Sequence, residues 1–271
     1  MRRRKHSLSA VIIAKNEQAV IGRCLTALAG WADEIVVVVD GASSDDTAKI
    51  ARAHTLRVVL SPWLGFGPQK QLALEAAHGA WVLSVDADEV VTPELREEID
   101  RLLAGDPRHA GYRIRRSIQA FGRRLDHGEC GQAPLRLFRR EGSRFTDSAV
   151  HETVRVAGPV GRLRSRLLHY SIRDLGHQMD KLSRYAWLWA HERHRRGKRS
   201  GLGRAVAHGL WSFVEVYFLR LGILDGRLGL TLAFLQSQYT FNKYATLWSL
   251  ALDPPASEPE TATQPRAVPN Q

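Results

Sequence analysis

At 271 residues, with 44% hydrophobic and 25% charged residues, the chain can hold one large α/β domain with an appendage and has the composition of an ordinary soluble globular protein. Its only cysteines, Cys24 and Cys130, have no His or second Cys at metal-ligand spacing, which argues against a disulfide framework or structural zinc site and for a reducing compartment. The formal net charge of +11 belongs to the middle of the chain, where residues 101–220 hold 25 Lys and Arg against 10 Asp and Glu; it predicts a phosphate-bearing partner, whether nucleic acid, anionic lipid or a phosphorylated glycan.

Met1-Arg2-Arg3-Arg4-Lys5 is charged like the start of an export signal, but the apolar run behind it, Leu8 to Ala14, is short and ends in Lys15-Asn16-Glu17. Residues 1–7 therefore read as a basic tail leading into a β-branched first strand. Apolar positions at Val20, Ile21, Cys24, Leu25 and Leu28 have a helical period, with Gly30 as the stop. Ile35 to Val39 is a second strand ending at Asp40-Gly41, and Ser43-Ser44-Asp45-Asp46-Thr47 caps a helix reaching His54. Leu56 to Leu60 is a third strand, Gln69 to His78 a helix, and Trp81 to Val85 an apolar run of the kind buried on both faces of a parallel sheet. Strands and helices alternating over short connections predict a mostly parallel central sheet with flanking helices.

The fourth strand runs into Asp86-Ala87-Asp88-Glu89. Ligands of parallel sheets sit at the carboxyl ends of strands, and two carboxylates flanking a small residue can direct hard oxygen ligands at one Mg²⁺ or Mn²⁺, leaving positions for water and a diphosphate. The plainer alternative is an acidic turn in which Asp88 or Glu89 starts the helix after Pro93. A dinucleotide fold is disfavoured, because Ala14-Lys15-Asn16-Glu17 stands where a Gly-x-Gly-x-x-Gly turn would follow the first strand.

Four motifs in this order, Ala-Lys-Asn-Glu, Asp-Gly-x-Ser-x-Asp-x-Thr, a Gly-rich loop with its helix and Asp-Ala-Asp-Glu, resemble inverting glycosyltransferase family 2, with a GT-A-type fold, over about the first hundred residues. The resemblance implies a donor site from Ala14, Lys15, Asn16, Glu17, Asp40, Ser43, Lys70, Asp86 and Ala87. Within it Glu17 and Asp40 would contact uridine, Lys70 would lie near the donor, Asp86 would approach the donor ribose or sugar, and Asp88 would ligate the metal. Taken singly, Glu17 could be a first-turn helix acid, Asp40-Gly41 a turn, Asp45 and Thr47 cap residues, and Lys70 a solvated charge.

Beyond Pro93, a helix to Leu103 and a strand near Tyr112 to Ile118 precede Leu135-Arg136-Leu137-Phe138-Arg139-Arg140 and Val150-His151-Glu152. An inverting transfer needs a carboxylate to take the acceptor hydroxyl's proton; Glu152 is the first candidate, with Asp147 and Glu129 as rivals. His151, Arg136 and Arg139 are candidates for the acceptor side. These segments resemble the lipopolysaccharide-core β-glycosyltransferases, although Gly128-Glu129-Cys130-Gly131-Gln132 departs from the Trp and Asp usual there. The arginines of this region suit phosphates of a lipid-linked glycan; nucleic acid would need a groove-entering element or stacked aromatics, and neither is found.

The final third reads as three helices: Asp174 to Arg196, Gly203 to Gly222 with Leu210, Phe213, Val214, Tyr217 and Leu221 on one face, and Leu228 to Leu250. Charged and amide residues interrupt the last two, and their aromatics beside Arg and Lys suit a membrane interface as well as they suit packing or dimerisation. The expected organisation is therefore a tail (1–7), a GT-A domain (8–170) with a nucleotide-sugar half (8–105) and an acceptor half (106–170), amphipathic helices (171–252) and a disordered tail (253–271). The expected activity is metal-dependent transfer of a hexose, glucose from UDP-glucose, to a lipopolysaccharide-core or other lipid-linked glycan at the cytoplasmic face of the inner membrane. The alternatives are a polyprenyl-phosphate glycosyltransferase and a non-catalytic nucleotide-fold module that binds anionic lipid or RNA.

Overall fold

A computed structural model describes residues 4–128, 133–146, 153–172 and 174–252. Its first half alternates as expected: β1 (Leu8–Ala14), α1 (Ile21–Leu28), β2 (Glu34–Asp40), α2 (Thr47–His54), β3 (Val58–Ser61), α3 (Phe66–Glu75) and β4 (Trp81–Ser84). After β4 come β5 (Glu89–Val91), α4 (Pro93–Leu103), β6 (Gly111–Ala120), β7 (Arg123–Leu125), β8 (Leu135–Arg139) and β11 (Val160–His169), with the short pair β9 (Arg144–Phe145) and β10 (Val154–Arg155) before β11. The helix after Pro93 is capped by Thr92, whose side chain accepts the Leu95 N–H at 3.2 Å, and Glu89 belongs to a strand. The acidic turn is thus separate from the helix start.

The main sheet runs β3-β2-β1-β4-β8-β6-β11-β5, with β7 added to β6. Strands β3, β2, β1 and β4 are parallel, whereas β8 enters antiparallel between β4 and β6. All seven residues of β1 are buried, so its two faces serve two cores. Leu8, Ala10, Ile12 and Ala14 pack with Ile21 and Leu25 of α1 and Leu95 and Ile99 of α4; Val11 and Ile13 pack with Ala73 and Leu74 of α3. This period of two on a fully apolar run is the physical content of a central strand. It also leaves the polar residues after β1, β2 and β4 together at one edge of the sheet.

Three helical segments follow: α5 (Leu175–Arg195), α6 (Leu202–Val214) and α7 (Gly226–Leu252). The helix expected to run from Gly203 to Gly222 stops at Val214. A π-helical turn, Glu215–Leu219, ends with the Arg220 N–H on the Glu215 carbonyl at 2.8 Å, and the Arg220 guanidinium reaches the Glu215 carboxylate at 2.5 Å. Leu221 then takes a left-handed conformation (φ 59°), and the turn Gly222–Asp225 delivers the chain to α7. That closure demands glycine, because a Cβ on Gly229 would fall 1.9 Å from the Gly222 carbonyl oxygen. On the face read as apolar from the sequence, Leu210, Val214 and Leu221 are exposed, while Ala205, Gly209, Ser212 and Val216 are buried. No helix among the described residues is long and apolar enough to cross a membrane.

Candidate active site

The loops after β1 and β2 are laced into one unit. Asn16, at φ 54°, accepts the Ser44 N–H at 2.9 Å, and the Ser43 hydroxyl accepts the Asn16 N–H at 3.4 Å. Thr47 accepts the Glu17 N–H at 2.7 Å, and the Asp45 carboxylate accepts the Gln18 and Thr47 N–H groups at 3.0 Å each. Asp45 and Thr47 therefore staple the two loops together, and the residue at the start of α2 is Asp46, which makes no side-chain cap bond. The lacing presents Lys15 to Asp40 at 2.6 Å. That contact, with the Ala42 N–H, holds the Asp40 carboxyl below the usual carboxylate range. Lys15 and Asp40 line a recess of about 450 Å³ with Gly41, Pro62 and Trp63, and the Lys15 ammonium lies 5.5 Å from the Trp63 ring. Trp63 was not singled out from the sequence. Its only signal there was an aromatic residue in a Pro-Trp-Leu-Gly loop.

Past β4 the three acids have three fates. Asp86 meets the Lys70 ammonium at 2.9 Å and both terminal nitrogens of Arg136, one at 3.2 Å. Burial pushes its carboxyl up, but Arg136 and Lys70 outweigh burial and hold it well below the ordinary range. Glu89 is fully buried; it takes Arg136 at 2.8 Å and accepts the Asp86 N–H at 3.0 Å, which fixes the turn. Its burial, with Asp86 nearby, leaves its carboxyl raised despite Arg136. Asp88 turns away from this network, and its Oδ2 lies 3.1 Å from Nε2 of His169 at the end of β11.

Asp88 and His169 form the pair that fits a divalent cation. Both are partly exposed, at 27% and 18% of their side-chain surface, and offer an oxygen and a nitrogen donor. Asp86 does not fit that role, because two cations already occupy its carboxylate. Among the described residues no group of three or more His, Cys, Asp and Glu could hold a metal, so the remaining ligands would come from diphosphate and water.

Of the acceptor-side candidates, Arg136 is 5% exposed and paired with Asp86 and Glu89. Arg139 pairs in register with Trp81, at the start of β4; its guanidinium donates to the Pro107 carbonyl at 3.0 Å and stacks over Trp81. It therefore sits at the end of β4 opposite Asp86 and Asp88. Glu129, Asp147, His151 and Glu152 lie outside the described residues. Beside His169, a cavity of about 190 Å³ opens between the ends of β6 and β11 and the helices α5 and α7. Arg116, Lys181, Gln178 and Gln236 line it over an apolar floor that includes Ile118 and Leu232, and Gln178 Oε1 is buried with no hydrogen-bond partner among the described residues.

The glycosyl transferase family 2 model matches residues 9–158, which span all these elements up to β10. The chain belongs to glycosyl transferase family 2. This family 2 transferase is 31% identical, over 89% of its length and 94% of the relative's, to the lipopolysaccharide core biosynthesis glycosyltransferase LpsC of Rhizobium meliloti. It is 30% identical, over 90% of its length and 88% of the relative's, to an uncharacterized glycosyltransferase of Rickettsia typhi. Among solved structures, S. aureus TarS 1–349 in complex with UDP-GlcNAc aligns with a TM-score of 0.46 at 14% identity, over 91% of this chain and 92% of that one.

Proposed function

We propose that this inverting transferase is metal-dependent and moves a hexose, glucose from UDP-glucose, onto a lipopolysaccharide-core or other lipid-linked glycan at the cytoplasmic face of the inner membrane. The observation that carries the reading is the Asp88–His169 pair beside a carboxylate, Asp86, already neutralised by Lys70 and Arg136. Asp88 and His169 would hold Mg²⁺ or Mn²⁺, whose positive charge, when bound, offsets the charge building on the departing diphosphate. The Lys15, Asp40 and Trp63 recess suits the uracil and ribose, with Trp63 as a stacking face and Asp40 as a hydrogen-bond acceptor. Asp86 keeps 30% of its side-chain surface open, enough to accept a hydrogen bond from the donor's sugar.

The acceptor is assigned to the cavity beside His169, whose Arg116 and Lys181 favour an anionic glycan. There the acceptor oxygen would form its bond to the anomeric carbon as the bond to the diphosphate oxygen breaks, inverting that carbon and releasing UDP. Glu152 is the proposed base that takes the hydroxyl proton. LpsC, whose name places it in lipopolysaccharide core biosynthesis, supports this acceptor class.

The donor half is tested by calorimetric titration with UDP and GDP, with and without Mn²⁺. UDP should bind in preference to GDP and only with the metal; binding of neither would remove the donor assignment. Glu152→Gln should leave UDP affinity unchanged and lower turnover by about 10²- to 10⁴-fold. A wild-type rate would transfer the role to Asp147 or Glu129.

A further inference from the structure

Helix α6 packs on α7 through its small residues. Ser237 Oγ donates to the Gly209 carbonyl at 2.8 Å, Thr240 Oγ1 meets Ser212 Oγ at 3.1 Å, and a Cβ on Gly209 would come within 3.1 Å of the Phe241 Cβ. Phe213 rests on Phe234 of α7, but most of the large apolar residues of the same helix point outward: Val206, Leu210, Trp211 and Val214 are exposed, Leu210 at 64% and Trp211 at 57%. The turns beyond it extend the strip with Phe218 and Leu224, at 50% and 65%. A helix pair surrounded by water buries most of its large side chains in the seam, whereas here small residues fill much of the seam and four large ones are left outside. Exposed large apolar residues gathered on one helix and the turns after it, unlike residues scattered singly over a surface, mark an interaction surface.

Charge chooses the partner. Residues 192–227 hold eight Lys and Arg against three acids, and each acid is engaged: Glu192 with Arg196, Glu215 with Arg220, Asp225 with His127. A second copy laid on the same face would bring two basic collars together with no unpaired acid from that segment between them. An anionic bilayer satisfies both parts, taking apolar side chains below the headgroups and cations at the phosphates.

The geometry points to α6 and the turns after it as an interfacial anchor for an anionic phospholipid surface. Leu210, Trp211, Phe218 and Leu224 enter the headgroup boundary, while Arg195, Arg196, Lys198, Arg199 and Arg204 face the lipid phosphates. The anchor is wired to the domain that carries the transfer site: Asp225 accepts the His127 N–H at 3.0 Å, and the Gly128 N–H donates to the Arg220 carbonyl at 2.8 Å. The inference deepens the proposed function by naming the surface that meets the lipid; it rests on that reading only for the acceptor's location, and its test uses neither donor nor acceptor.

The full chain is co-sedimented with phosphatidylcholine vesicles with and without phosphatidylglycerol. Binding should be at least about tenfold tighter with phosphatidylglycerol and should weaken with salt. The double variant Leu210→Glu/Trp211→Glu should lose roughly tenfold or more of that binding while UDP affinity stays unchanged. Replacing Arg195, Arg196, Lys198 and Arg199 by Gln should abolish the preference for phosphatidylglycerol. Absent vesicle binding, or binding indifferent to both sets of substitutions, would overturn the anchor. A wild-type dimer dissociated by Leu210→Glu/Trp211→Glu, without vesicle binding, would assign the strip to a second copy and overturn it equally.

Discussion

Replacing Arg136 by Met is expected to lower the free energy of unfolding by about 3–5 kcal/mol, the usual cost of removing one partner from a buried ion pair. Met keeps much of the stem's volume, so the loss reports charge rather than a cavity. Without the guanidinium, Glu89 is fully buried with Arg116 at 3.7 Å, and among the described residues Asp86 retains the Lys70 ion pair. Because whole domains are stable by only about 5–15 kcal/mol, the variant should sit near the edge of folding. Lys at this position should recover only part of the loss, since an ammonium cannot span two carboxylates as a planar fork does. Urea unfolding of the three proteins measures this directly; an Arg136→Met midpoint equal to wild type would mean that the network contributes nothing to stability.

Asp88→Asn should do the opposite, sparing the fold and removing the chemistry. Asp88 lies outside the Asp86, Glu89, Arg136 and Lys70 network, and among the described residues its side chain pairs with His169. Stability should therefore change by less than about 1 kcal/mol, as for other partly exposed polar substitutions. Turnover should fall by on the order of 10³-fold, the scale seen when one group aimed at developing charge is removed. The enhancement of UDP affinity by Mn²⁺ should vanish with it, a readout that does not depend on identifying the acceptor. Full activity in Asp88→Asn would sink the metal assignment, and retained Mn²⁺ enhancement with lost turnover would move the ion elsewhere.

The elements that read correctly from the sequence are those whose signal is local. The apolar runs of β1, β2 and β4 and the helical periods between them announce a sheet buried on both faces, and the acids at the strand ends follow from that. What could not be read is pairing at a distance. Arg136 lies 50 residues from Asp86, and His169 lies 81 from Asp88. An Arg in a Leu-Arg-Leu-Phe-Arg-Arg run looks like a surface cation until the antiparallel entry of β8 beside β4 brings it against the acids. His169 ends a strand that carries Arg162, Arg164 and Arg166, with nothing beside it in sequence to suggest a ligand. Helix α6 was legible as a helix but not in its facing, because periodicity identifies an apolar stripe without telling whether a neighbour or a lipid covers it. Its neighbour, α7, prefers the stripe of Ala, Gly and Ser.

The position of β8 has a consequence for recombination within the family. Because β8 stands between β4 and β6, the strands that carry the donor-side acids and those that frame the acceptor cavity belong to one continuous sheet, with Arg136 as the rivet between them. A chimera exchanging everything after residue 105 with a relative would transplant the rivet's arginine while leaving both of its carboxylates behind. Such exchanges of acceptor preference should succeed between relatives that share the Asp86, Glu89 and Arg136 arrangement; between relatives that do not, a workable crossover would have to fall in the helical appendage rather than within the sheet.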